Sequence, residues 1–65
     1  MTQAASLQIF REVNKIESAI AAKGWPHYSV DPELCMSRYR EFTDAREAFM
    51  VGKGTTWAAF RASWS

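Results

Sequence analysis

An imidazole, a thiol and a scatter of carboxylates are the groups through which this sequence could do chemistry. His27 and Cys35 are the single histidine and the single cysteine of the 65 residues. Brought together in space they would form a nucleophile and its base, and a thiol near a helix start has its thiolate favoured. Their positions argue against it. Cys35 falls on the apolar side of a predicted helix, where a buried, inert thiol is expected, and His27 sits in a connector without a second ligand type or a conventional nucleophile. The lone pair also excludes a closed tetrahedral zinc site, and one cysteine excludes an intramolecular disulfide.

The other chemical candidates are equally thin. Glu33, Glu41, Asp44 and Glu47 are interspersed with Arg38, Arg40 and Arg46, the pattern of a solvated helix face rather than of a paired acid and base. Gly52-Lys53-Gly54-Thr55-Thr56 has the composition of a phosphate loop. A Walker loop needs a longer glycine-to-lysine spacing, a Ser or Thr directly after the lysine and a strand before it, whereas here Gly54 follows Lys53 and a predicted helix precedes it. An interhelical turn is expected instead. The sequence therefore predicts no enzyme, no cofactor and no metal.

The element that must position these residues runs from Asp31 to Val51 and stops at Gly52. Asp31 supplies an acceptor for free amides, Pro32 fits the first helical position and Glu33 complements the positive end of the dipole. At about 100° per residue, Cys35, Tyr39, Phe42, Phe49 and Met50 converge on one face, with Leu34, Met36 and Ala45 at its margins. Arg46 falls near the centre of that face and Arg38 near its edge. If the helix is continuous, Arg46 must snorkel outward, be held by an acid or meet a partner, since an unpaired buried guanidinium is costly. If it breaks at Thr43-Asp44, Asp44 caps a second piece with Glu47 three residues on, and the apolar face resets to Ala45, Ala48 and Phe49. Continuity is favoured because no Gly or Pro interrupts the run. Helical-spacing pairs, Arg40 with Asp44 and Arg38 with Glu41, add about 0.2–0.5 kcal/mol each.

Shorter helices flank it. From about Ser6 to Lys23 the residues Ile9, Phe10, Val13, Ile16 and Ile20 recur at helical steps, opposite Arg11, Glu12, Asn14, Lys15 and Ser18, and Gly24 can close the element in the left-handed conformation. Pro26 ends any continuation, leaving the aromatic connector Trp25-Pro26-His27-Tyr28-Ser29-Val30. Thr55 or Thr56 caps a last segment in which Trp57, Phe60 and Trp64 form a stripe flanked by Arg61. So short a helix is unstable alone and must dock, on the other two helices or on another chain.

These elements predict one all-α domain over residues 1–65, three helices with a long central one and a short aromatic one at the end. So small a domain buries only about 60% of its unfolded surface. With no disulfide or metal, self-association or a bound partner is the remaining stabilising device. Three Trp, four Phe and two Tyr are more apolar surface than such a core encloses, which points the same way. The net charge of +1, with both signs interspersed, lacks the field of a protein that lives on phosphate backbones. No membrane-spanning run is present, and Met1-Thr2-Gln3-Ala4-Ala5 lacks the start of a secretion signal, so a cytoplasmic setting is expected.

Two function classes follow. The favoured one is a non-enzymatic interaction module, a homodimer that binds a larger protein through Trp25, Tyr28, Arg46, Trp57, Phe60, Arg61 and Trp64, since Trp, Tyr and Arg are typical binding hot spots. The alternative is a small DNA-binding or nucleoid-associated modulator that contacts phosphates through Arg38, Arg40, Arg46 and Lys53. Its weakness is a last helix offering Trp and Phe where base-reading side chains belong.

Overall fold

In a computed structural model of the chain, residues 3–63 are described, and they form three helices: α1 (Gln3–Ala21), α2 (Pro32–Gly52) and α3 (Trp57–Ala62). Among the described residues there is no strand. Trp64, expected on the stripe of the last helix, lies outside them.

Local chemistry sets each boundary. α1 ends two residues before Lys23, because the amides of Lys23 and Gly24 donate to Ile20 and Ala21 O (3.1 and 3.0 Å) in a tightened last turn, and Gly24 then takes φ 98°. A side chain at that φ would be strained, so the glycine is required. α2 begins as predicted: Asp31 Oδ1 accepts from the Leu34 amide at 3.1 Å, with Pro32 in the first turn. It ends with the Thr55 amide returning to Met50 O (3.2 Å) and Gly54 at φ 81°. Thr56 is the cap of α3, its Oγ1 accepting from the Ala59 amide at 3.1 Å.

α2 does not break at Thr43-Asp44. The Thr43 hydroxyl donates to Arg40 O (3.1 Å), a back-bond that a helix accommodates, and Asp44 remains exposed without capping anything. Of the two expected intrahelical ion pairs, Arg38 with Glu41 forms at 3.1 Å. Arg40 and Asp44 do not pair; Arg40 projects to solvent instead.

α1 and α2 make an antiparallel hairpin. Ile9, Val13 and Ile20 from α1, Phe42 and Met50 from α2, and Phe60 from α3 are the buried core, ringed by Ile16, Trp25, Phe49 and Trp57. α3 folds back only over the C-terminal half of α2, where Met50 is 0% and Phe60 2% exposed. Its Phe60 also reaches α1, meeting the Phe10 ring edge-on at 5.7 Å between centroids. The radius of gyration is 13.2 Å, against about 11 Å for a compact chain of this length. The fold is thus elongated, 39 × 21 × 18 Å, with three layers at one end and two at the other.

That unevenness overturns one expectation. Tyr39 shares the wheel face of Phe42 yet is half exposed, and Met36 beside it is exposed as well. Six helical residues in α3 reach about 9 Å along an axis of roughly 31 Å in α2, so the side of α2 that α3 seals at Arg46 and Met50 is open at Tyr39.

Candidate functional site

At its C-terminal half, α2 resolves the problem of Arg46 with aromatic faces. The guanidinium carbon lies 5.0 Å from the Phe42 ring centroid and 4.3 Å from that of Trp57. Each such contact contributes about 0.5–2 kcal/mol, more where water is excluded. The Trp57 amide donates to Glu47 Oε2 at 3.2 Å, fixing the start of α3 on α2. Arg46 Nε is buried without a hydrogen-bond partner, a cost of about 1–3 kcal/mol. Neither an acid nor simple snorkelling holds this residue. It is a planar spacer that seats Trp57 on α2.

At the other end of the hairpin, charge joins the helices. Arg38 donates through Nε to Gly24 O (3.0 Å) and through Nη1 to Glu41 Oε2 (3.1 Å), and Lys23 pairs with Glu41 Oε1. The Lys23 hydrogen bond, supported by Arg38 and opposed by partial desolvation, holds the Glu41 carboxyl below the usual carboxylate range. Arg38 is thereby committed to closing the α1 turn.

Of the described residues expected to contact a partner, Trp25, Arg46, Trp57 and Phe60 run together through Phe42, mostly as packing rather than as free surface. Trp25 is half-buried, its ring 5.9 Å from Phe42 and tilted, and Trp57 is half-buried against Phe60 at 5.7 Å. Phe60 is a core residue and leaves the set. Tyr28 and Arg61 are exposed. The four cations of the DNA-binding alternative are also dispersed: Arg38 and Arg46 are engaged as described, and Lys53 lies over the Phe49 ring at 5.6 Å. Arg40 projects from a different side of α2, about 20 Å along the axis from Lys53.

The chain has no significant match among protein-family models, curated proteins or solved structures. Large apolar side chains are exposed at both ends of the hairpin: Leu7, Phe10 and Val51 at the end that carries α3, and a larger set at the end it leaves uncovered. Tyr28 (58% exposed), Val30 (77%), Met36 (45%) and Tyr39 (50%) present large apolar groups there. A shallow groove of ≈ 390 Å³ crosses this end, lined by Tyr28, Pro32, Glu33, Met36, Ser37 and Arg40. Sequence reasoning found Tyr28 but missed Val30, and it placed Met36 and Tyr39 on the buried face or its margin. The shortness of the last helix beside the central one was the available signal.

The remaining chemistry is sparse. His27 Nδ1 accepts from the Ser29 amide (3.1 Å) and lies 2.7 Å from the Ser29 hydroxyl, so its hydrogen bonds stay within the connector. Cys35 is half-buried and makes no hydrogen bond to it. Among the described residues no group of three His, Cys, Asp or Glu side chains could hold a metal, and no helix is long and apolar enough to cross a membrane. A second groove, ≈ 570 Å³, is lined from α1 and from the C-terminal end of α2 by residues that include Phe49, Arg11, Lys15 and Lys53. Lys15 there is already paired to Glu12 at 3.3 Å.

Proposed function

We propose that this protein is a non-enzymatic interaction module that acts in a reducing cytoplasm by binding other protein chains, as a homodimer and in contact with a larger protein. The observation that supports the reading is the exposure of Tyr28, Val30, Met36 and Tyr39 at the end of the hairpin that α3 leaves open, beside a smaller exposed set, Leu7, Phe10 and Val51, at the other end. Tyr and Met are enriched at the cores of interfaces, and an apolar cluster rimmed by charge is how such surfaces are built. The contact set therefore moves away from Phe60, Trp57 and Arg46, which hold α3 in place, toward the connector and the first half of α2, with Tyr28 common to both. An unpaired, half-buried Cys35 suits a compartment that keeps thiols reduced. Duplex DNA has less support, because no single surface gathers Arg38, Arg40, Arg46 and Lys53.

The test is comparative affinity capture from the native host with the wild type and a Val30→Ser/Tyr39→Ser variant of unchanged helicity. A protein retained by the first and lost by the second is the expected result. Equal retention by both, or retention by neither, would refute the larger-protein part of the reading.

A further inference from the structure

The groove at the open end has a charge pattern that complements itself. Glu33 and Arg40, both exposed, line it together with Tyr28, Pro32, Met36 and Ser37, which fall between or beside them on the chain. Glu33 and Arg40 are two helical turns apart on one side of α2, roughly 10 Å along the axis, too far to pair with each other. Neither makes an ion pair with another of the described residues. An acid and a base so separated along one helix are the arrangement that a two-fold axis converts into two identical ion pairs, since in an isologous contact residue i meets j and j meets i.

We propose that the groove is occupied by α2 of a second copy of this chain, packed antiparallel about a two-fold axis between Met36 and Ser37. In that register Glu33 of each copy faces Arg40 of the other, and each Met36 enters the space above the small Ser37 side chain opposite. Residue sums fix the register: 33 with 40 and 36 with 37 share one centre. Ridges of a large side chain over a small one let the helices approach closely. Met36, with Pro32 and Tyr28 beside it, supplies the apolar attraction, and the paired charges select the antiparallel orientation over the parallel one, which would set Glu33 against Glu33 and Arg40 against Arg40. Val30 and Tyr39 do not line the groove and remain for the larger protein. This proposal rests on the interaction-module reading and specifies the occupant of its surface.

The experiment is sedimentation of the full chain over nanomolar to high-micromolar concentrations, with three preparations: wild type, Arg40→Glu and Glu33→Arg. Wild type should pass from monomer to dimer across the range. Each single charge reversal places like charges together and should weaken the dimer about tenfold or more. An equimolar mixture of the two variants should then form a heterodimer close to wild-type strength, because both charge contacts of the mixed pair again join an acid to a base. Three outcomes overturn the proposal: a wild type monomeric throughout, reversals without effect, or a mixture no tighter than either variant alone. Because the capture variant is built on Val30 and Tyr39, a monomeric wild type that still retains its larger partner sinks the dimer groove and the homodimer part of the reading, and leaves the larger-protein part standing. Loss of both sinks the broader reading too.

Discussion

The two halves of α2 carry similar side chains to different ends. In the C-terminal half, Phe42 and Met50 are buried with Phe60 of α3 in one core, and the Arg46 guanidinium lies over the rings of Phe42 and Trp57. In the N-terminal half, Met36 and Tyr39 are as apolar yet stand in solvent, because α3 does not extend over them. One helix is thus a scaffold over half its length and an unfinished packing surface over the other half. What separates them is the reach of α3, not their own composition.

The comparison can be broken most forcefully at Phe60. Phe60→Ala should cost about 3–5 kcal/mol, a large fraction of the stability of a domain this small. Thermal unfolding followed by circular dichroism should then lose its cooperative transition or drop well below the wild-type midpoint. A midpoint within a few degrees of wild type would mean that α3 does not hold the C-terminal half closed.

Arg46 sharpens the contrast at intermediate scale. Arg46→Ala removes two ring contacts and the packing of the stem, and should lower stability by about 1–2 kcal/mol in denaturant titrations. Arg46→Leu keeps apolar contact and removes the orphaned Nε, so stability should hold or rise within about 1 kcal/mol. A loss for leucine as large as for alanine would show that the planar guanidinium over the rings, not the apolar stem, seats Trp57.

How much of this was legible in the sequence depends on whether the cause was local. Asp31, Pro32 and Gly24 act on the backbone at or within a few residues of themselves, and their roles could be read directly; the cap of α3 could be narrowed to Thr55 or Thr56. The continuity of α2 followed from the lack of a breaker, and with it the conclusion that Arg46 needed company. That the company would be Trp57 was not legible, because it depends on the angle at which the Gly52–Thr55 turn returns the chain. Tyr39 was placed on the buried face because a helical wheel records direction and ignores what stands opposite. The bond from Lys23 to Glu41 was invisible for the same reason, since it joins the tail of one helix to the middle of another.

That ion pair gives a pH prediction. With the folded Glu41 carboxyl more acidic than the unfolded one, the unfolded chain takes up the proton first as pH falls. The stabilisation is complete above the ordinary glutamate value of about 4.3 and declines as pH drops through the lowered folded value. Glu41→Gln should flatten that part of the stability profile between neutral and acid pH. An unchanged acid slope in the variant would remove Glu41 from the clamp.

The smallest effect on folding belongs to the open end. Tyr28→Ser, Met36→Ser and Tyr39→Ser should each change monomer stability by no more than about 0.5 kcal/mol, as exposed positions do. A loss comparable to that of a core residue would place them in the fold rather than at an interface.

The measurement that tests the division of α2 most directly is the concentration dependence of backbone amide chemical shifts in the full chain. Dilution should move the resonances of Tyr28 through Arg40 and leave those of Arg46 through Phe60 unchanged. Shifts centred on Trp57–Arg61, or a spectrum indifferent to concentration up to the millimolar range, would contradict it.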